Sequence, residues 1–323
     1  MSSETSIAPL VAIVGPTASG KSALGIFLAQ KLRGEVVACD STQLYRGFDV
    51  GTAKPSLAER QGIPHHLIDV LDASQQATAG GYRDMALQVL ADLRRRNRLP
   101  IFTVGTGLYL RALLEGLADI PQRCEEVRAR LRKSAEGRPG HLHRMLQRLD
   151  PESAARIAAA DEQKLIRAVE VCMLSKKPIS ELHRAGRPPL VGWKPLQLAL
   201  LPPREALYER IEARTDAMLQ AGWMQEVQAL VESGVSEDTK PFDFIGYREL
   251  RNVVRGSVPL PEARAAIQQS TRRYAKRQLS WFRNLPGVEH FEGFGDDAQI
   301  QNQALEWVSR KLAAMHQAGA PGV

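Results

Sequence analysis

The chain of 323 residues has three cysteines, Cys39, Cys124 and Cys172, and no Cys-x-x-Cys pair. That excludes a disulfide framework and a zinc ribbon, and makes a reducing compartment the expectation. The longest clean apolar run near the start, Leu10–Val14, falls far short of the roughly 20 residues a membrane span needs. Met1–Ser6 lacks Lys and Arg, so it does not read as a signal peptide. No Asn-Lys-x-Asp guanine motif occurs, which argues against a GTPase.

What is present is an ordinary globular balance, 44% apolar and 24% charged residues, so a disordered or collagenous chain is excluded. Lys and Arg exceed Asp and Glu by 43 to 36, a net charge of +7 that points mildly to a polyanionic partner. At roughly 150 residues per domain the length suggests about two domains, or one with a large insertion.

Leu10–Val14, Glu35–Cys39 and Leu99–Val104 read as buried strands, with a short strand possible in Ile63–Leu71. Lys21–Leu32 and Tyr82–Arg96 have helical apolar spacing, and a helix follows Gly105-Thr106-Gly107 to about Leu117. Alternation of strands and helices predicts an α/β fold with a mostly parallel sheet. From Asp119 to about Lys194 no strand is evident, and Asp161–Ser175 is amphipathic. Leu196–Leu201 resumes the strand pattern, and helices follow at Glu205–Gly222, Gln225–Glu232 and Pro261–Asn284. The expected organisation is a discontinuous P-loop core, residues 1–118 and 196–317, interrupted by a helical insertion at 119–195 and ending in a disordered tail at 318–323.

Gly15-Pro16-Thr17-Ala18-Ser19-Gly20-Lys21-Ser22 fits G-x-x-x-x-G-K-[ST] between a strand and a helix, the context that motif requires. Its glycines let successive N–H groups face one anion, and the helix start adds positive potential. Lys21 adds a full charge and the Ser22 hydroxyl can ligate Mg²⁺. The loop recognises linked phosphates, which need not belong to ATP. Leu99–Val104 ends without the acid an NTPase uses there; the acid is Asp40, after the second strand. At a strand end beside the loop, Asp40 reads equally as a catalytic group and as a turn cap in Asp40-Ser41-Thr42. Two basic stretches stand out. Arg128–Arg148 holds seven Lys/Arg against Glu136, and Thr271–Arg283 has no acid, with Arg273, Lys276, Ser280 and Arg283 on one helical face. Each reads as a phosphate grip or as a solvated face. His65-His66 lacks a partner set for a metal, and Trp281 and Phe282 read as core more than as base-stacking residues.

Several ordered blocks resemble the tRNA dimethylallyltransferases, the bacterial tRNA isopentenyltransferases. They are Gly15–Ser22, Asp40-Ser41 with Gln43-Leu44-Tyr45, Gly51-Thr52-Ala53-Lys54-Pro55, Pro64–Asp69, Gly105–Tyr109, Ile245–Glu249 and Arg273–Arg283. The resemblance spans about residues 10–290. It implies transfer of a dimethylallyl group from dimethylallyl diphosphate to N6 of the adenosine 3′ of the anticodon, position 37, with release of diphosphate. It makes Gly15, Pro16, Thr17, Ala18, Ser19, Gly20, Lys21 and Ser22, with Arg214, the diphosphate site, Mg²⁺ the cofactor and Ser22 its ligand. Asp40 becomes the general base and Thr106 a contact of the reacting adenine. Expected tRNA contacts are Asp40, Ser41, Thr42, Gln43, Thr106, Arg128, Gln163, Lys164, Arg167, Arg273, Lys276, Arg277, Gln278 and Arg283. Where the family often shows Asn-Asp-Pro-Gln-Arg, this chain has Ala160-Asp161-Glu162-Gln163-Lys164, and Lys cannot make the bidentate fork of Arg. The implied partners are the tRNA anticodon stem-loop and dimethylallyl diphosphate. A cytoplasmic monomer away from membranes is expected. A P-loop kinase, an isopentenyltransferase acting on free AMP or ADP, and an RNA-binding P-loop module are the alternatives.

Overall fold

The computed structural model describes residues 7–118, 120–121, 123–186 and 188–318. In chain order the elements begin β1 (Ala8–Val14), α1 (Lys21–Leu32), β2 (Gly34–Cys39), β3 (His65–His66), α2 (Ala79–Arg95), β4 (Leu99–Val104) and α3 (Gly107–Glu115). Among the described residues, five helices follow without a strand: α4 (Glu125–Ala135), α5 (His141–Leu149), α6 (Pro151–Arg156), α7 (Glu162–Ser175) and α8 (Ile179–Ala185). The chain then returns with β5 (Trp193–Leu200), α9 (Arg204–Gln220), α10 (Trp223–Glu232), a short 3-10 helix at Lys240–Asp243 and α11 (Tyr247–Val254). It ends with α12 (Leu260–Arg283), β6 (Glu289–Phe291) and α13 (Ala298–Ala318).

The six strands form one parallel sheet in the order β3-β2-β4-β1-β5-β6. Val11 and Ile13 share a cluster with Leu24 and Leu28 of α1 and with Ile300, Ala304, Trp307 and Val308 of α13. Leu10, Ala12 and Val14, which alternate to the opposite face, are equally buried, as a sheet covered on both sides demands. Register fixes what matters for function. Val104 of β4 is level with Val14 of β1 and with Cys39 of β2. The chain therefore leaves three adjacent strands side by side, at Gly15, Asp40 and Gly105. With strands roughly 4.8 Å apart, Gly15 and Asp40 flank Gly105 across about 10 Å.

Two compact units divide the chain, Met1–Leu114 with Gly192–Val323, and Glu115–Val191. Both limits fall a few residues before the sequence-based ones, the second because β5 starts at Trp193, ahead of the apolar run from Leu196. The smaller unit packs Val127, Leu131, Leu142, Leu146, Leu165 and Val169 into its own core. Two buried carboxylates organise it. Asp150 accepts from the N–H and hydroxyl of both Ser153 and Ser180 at 2.7–3.0 Å. Burial opposes its charge, but these donors hold the carboxyl below the usual range. Glu170 accepts from Cys124 N–H, Arg167 and Arg128.

Ile63–Leu71 yields a two-residue strand plus a bridge from Tyr45 to Leu71. Sequence reading did not name β6 or α13, although Ile300, Ala304, Trp307 and Val308 have helical spacing. Ala318 ends α13, so the tail expected to be disordered lies, from residue 319, outside the described residues, as does Met1–Ser6. Among the described residues no helix is long and apolar enough to cross a membrane.

Candidate active site

The loop after β1 turns into α1 through Gly20, whose φ of 85° is left-handed and natural for glycine. A Cβ there would also lie 2.7 Å from Gly295 N and 2.8 Å from an Asp296 oxygen. The first bond into the helix runs from Leu24 N–H to Gly20 O, so the N–H groups of Lys21, Ser22 and Ala23 are left for an external acceptor. The Ser19 hydroxyl is fully buried and has no hydrogen-bond partner among the described residues. Lys21 Nζ donates to Gly15 O at 2.9 Å and Pro16 O at 2.7 Å, arching over its own loop. Burial draws its ammonium down to about 7; the Asp40 carboxylate opposes that fall and the Arg214 guanidinium adds to it. Arg214, from α9, donates to the Thr17 hydroxyl at 3.3 Å. Burial lowers its pKa too, with Asp40 again opposing. The arrangement is a cationic, donor-rich cradle suited to a diphosphate.

Asp40 faces this cradle. Its Oδ1 accepts from Thr42 N–H at 2.8 Å and from the Thr42 hydroxyl at 2.7 Å. This is the capping role that sequence alone could not separate from catalysis. Oδ2 is different: among the described residues it has no hydrogen-bond partner, and it would lie 2.0 Å from a Cβ on Gly105. Glycine at 105 thus lets the carboxylate lie against the β4 exit. Thr106 Oγ1 accepts from Ser41 N–H at 2.9 Å and donates to the Ser41 hydroxyl at 3.2 Å, joining the two strand ends. Cys39 O accepts from both Gly105 N–H and Thr106 N–H at 3.0 Å.

The rest of the site is braced by bonds between segments distant in the chain. Gln43 donates to the carbonyls of Thr52 and Ala53. Lys54, nearly buried, donates to Tyr45 O and pairs with Asp49 and Asp69. The Glu226 carboxylate accepts from the successive N–H groups of Asp49, Val50 and Gly51, and from the Tyr247 hydroxyl at 2.6 Å. A Cβ on Gly51 would come 2.1 Å from Trp223 Nε1, which is why glycine stands there. On the outer side of the loop, Gly295 N–H donates to Ser19 O at 2.8 Å. Asp296 is clamped by both ends of Arg210, at 2.7 and 2.8 Å. Arg210 and Arg214 lie one turn apart on α9, so one helix reaches both the loop, at Thr17, and Asp296, next to the Gly295 that bonds the loop.

The expected tRNA contacts separate by exposure. Arg273, Lys276, Arg277 and Arg283 are exposed on α12, and Gln163 and Lys164 are exposed in the smaller unit, Lys164 pairing with Asp161 at 2.6 Å. Gln278 is not on that face: it is buried, with both ends of its amide bonded inside the protein. Arg128 is nearly buried against Glu170 and Glu125, and Arg167 bonds Glu170 and Pro121 O. His66 bonds the buried Glu35, which Arg96 also holds, so it serves that ion pair. Among the described residues no three His, Cys, Asp or Glu side chains are placed to hold a metal. Mg²⁺ bound mainly through substrate phosphates and water needs only one or two protein oxygens, and the exposed Ser22 hydroxyl at the start of α1 fits that demand.

A family model described as IPP transferase matches residues 43–285, and one described as isopentenyl transferase matches residues 8–74. The tRNA dimethylallyltransferase of Solibacter usitatus is 48% identical over 304 residues, covering 94% of this chain and 99% of the relative. That of Koribacter versatilis is 47% identical, covering 92% and 97%. The solved full-length tRNA isopentenylpyrophosphate transferase of Bacillus halodurans is 35% identical with a TM-score of 0.71, covering 96% of this chain and 98% of that one. A eukaryotic dimethylallyltransferase acting on tRNA is 26% identical with a TM-score of 0.77, covering 97% and 80%. With the IPP transferase model spanning more than half of its length and relatives near half identical from end to end, the chain belongs to the tRNA dimethylallyltransferase family.

Proposed function

We propose that the protein transfers a dimethylallyl group from dimethylallyl diphosphate to N6 of the adenosine 3′ of the anticodon in tRNA. The observation that carries this reading is the pairing of a diphosphate cradle with a carboxylate whose Oδ2 has no hydrogen-bond partner among the described residues, on the two strand ends that flank β4. The C–O bond of the donor breaks and the electron pair leaves with diphosphate. The growing charge meets the N–H groups at the start of α1, Lys21 and Arg214. Mg²⁺, held by Ser22 and the diphosphate, would neutralise further charge there. N6 forms the new C–N bond and its proton passes to Asp40 Oδ2. The amine is a weak nucleophile because its lone pair is delocalised into the ring, so a positioned base is worth about 10²–10⁴-fold. Thr106, tied to Ser41 beside Asp40, is placed to meet the adenine once it has left its stack. The work belongs in the cytoplasm, with tRNA.

Release of diphosphate should require both dimethylallyl diphosphate and tRNA. Release with free AMP or ADP alone, or phosphoryl transfer from ATP, would replace this reading by one of the alternatives.

Lys21 supplies a pH signature. With its pKa lowered to about 7, it is mostly neutral at pH 8 in the free protein, and a bound diphosphate favours its charged form. Donor binding at pH 8 should therefore take up close to one proton, measured by calorimetry in buffers of different ionisation heat. Lys21→Met should abolish that uptake, and its absence in the wild type would remove Lys21 from the diphosphate site.

The exposed cations of α12 are assigned to the phosphates of the anticodon arm. Arg273→Ala, Lys276→Ala or Arg283→Ala should each flatten log K against log salt for tRNA by about 0.7–0.9, the share of the slope that one neutralised phosphate carries. Donor affinity should stay at the wild-type value. Unchanged salt slopes would make this a solvated face.

A further inference from the structure

We propose that Gln278 is a positioning residue that holds the donor loop and the acceptor side of the site in fixed register. The proposal rests on the function proposed above and adds a role to a residue that sequence reading grouped with the surface cations. Gln278 is 6% exposed and shares the inner face of α12 with Ala275 and Phe282. Its Oε1 accepts from Thr17 N–H at 2.8 Å, and its Nε2 donates to Gly105 O at 2.7 Å. These partners belong to the loops after β1 and β4, whose exits are neighbours in the sheet.

Both attachment points matter for the chemistry. Thr17 lies inside the phosphate-binding loop, and its hydroxyl also accepts from Arg214. Gly105 lies against Asp40 Oδ2. The peptide joining Gly105 to Thr106 is held at both ends. Its carbonyl accepts from Gln278 and from the Tyr274 hydroxyl at 3.1 Å, and its N–H donates to Cys39 O. That peptide sets where Thr106 and its Ser41 partner sit beside Asp40. One neutral amide therefore spans from the leaving-group cradle to the peptide that carries Thr106. The span needs an acceptor at one end and a donor at the other. An ionised glutamate offers acceptors only, and a lysine or arginine donors only. A shift of about 1 Å between reacting groups can cost on the order of 10²-fold in rate.

The test compares Gln278→Met and Gln278→Glu with the wild type. It measures kcat at saturating donor and tRNA, tRNA affinity, and amide exchange in residues 15–22 and 105–110. We expect kcat to fall by about 10–100-fold in both variants, with tRNA affinity within about twofold of wild type. Exchange should quicken in both loops together. Weakened tRNA binding with kcat retained would make Gln278 a tRNA contact, and unchanged kcat would give it no role; either overturns the proposal. If neither variant folds, exchange at the Thr17 amide of the wild type decides. Protection of this loop amide supports the tie, and free exchange overturns it. A wild-type protein that transfers no dimethylallyl group would instead sink the proposed function, while the exchange data would still report whether the two loops are tied.

Discussion

Asp40→Asn should lower kcat by about 10²–10⁴-fold, the range expected when a positioned general base is lost. Asparagine is the informative substitution because it separates the two roles of Asp40. Its side-chain oxygen can still accept from Thr42 N–H and the Thr42 hydroxyl, as Asp40 Oδ1 does, and Asn and Asp are nearly equal as caps. What it lacks is the basic oxygen beside Gly105. Thermal stability should therefore stay near wild type while turnover collapses. Asp40 also supports the charge of Lys21 and Arg214, so donor affinity will weaken somewhat, and kcat must be read at saturating donor. A variant turning over within a few-fold of wild type would leave Asp40 as a turn cap and no more.

Arg214→Ala should cost about 10²–10³-fold in kcat, comparable with removing one donor from a site where transition-state charge accumulates. Donor KM should rise as well, because the guanidinium is proposed to meet the diphosphate before the bond breaks. Its bond to the Thr17 hydroxyl places it in the loop. Arg214→Lys should recover part of the loss, since it returns the charge without the planar fork. Arg214 lowers the pKa of Lys21, so its removal should raise that pKa and shrink the proton uptake on donor binding at pH 8. Full kcat in Arg214→Ala with altered KM alone would confine the residue to ground-state binding.

The parts of this site written locally in the chain were open to sequence reading. The Gly15–Ser22 loop is one contiguous motif between an apolar strand and a helix with periodic apolar residues, and the three central strands are apolar runs. Asp40 could be located but not assigned, because Asp-Ser-Thr suits a cap as well as a base; Oδ1 is engaged by Thr42, and Oδ2 has no hydrogen-bond partner among the described residues. The bracing was hidden because its partners are distant in sequence. Glu226 meets Asp49, Val50 and Gly51 through a fold-level approach, and no local pattern announces a carboxylate that will cap another loop. Gln278 sits in a run of Arg and Lys, and the family resemblance counts it with them among the tRNA contacts. Helical period turns it inward with Ala275 and Phe282 instead. Arg128 shows the same limit in the smaller unit, where Glu170, far along the chain, draws it nearly out of solvent.

The most direct measurement is mass spectrometry of tRNA incubated with the protein, Mg²⁺ and dimethylallyl diphosphate, then digested and sequenced by fragmentation. The account expects one dimethylallyl group replacing a hydrogen on N6 of the adenosine 3′ of the anticodon, formed about 10²–10⁴-fold more slowly with Asp40→Asn under the same conditions. Unmodified tRNA with the wild-type protein, or an adduct at another nucleotide, would contradict it.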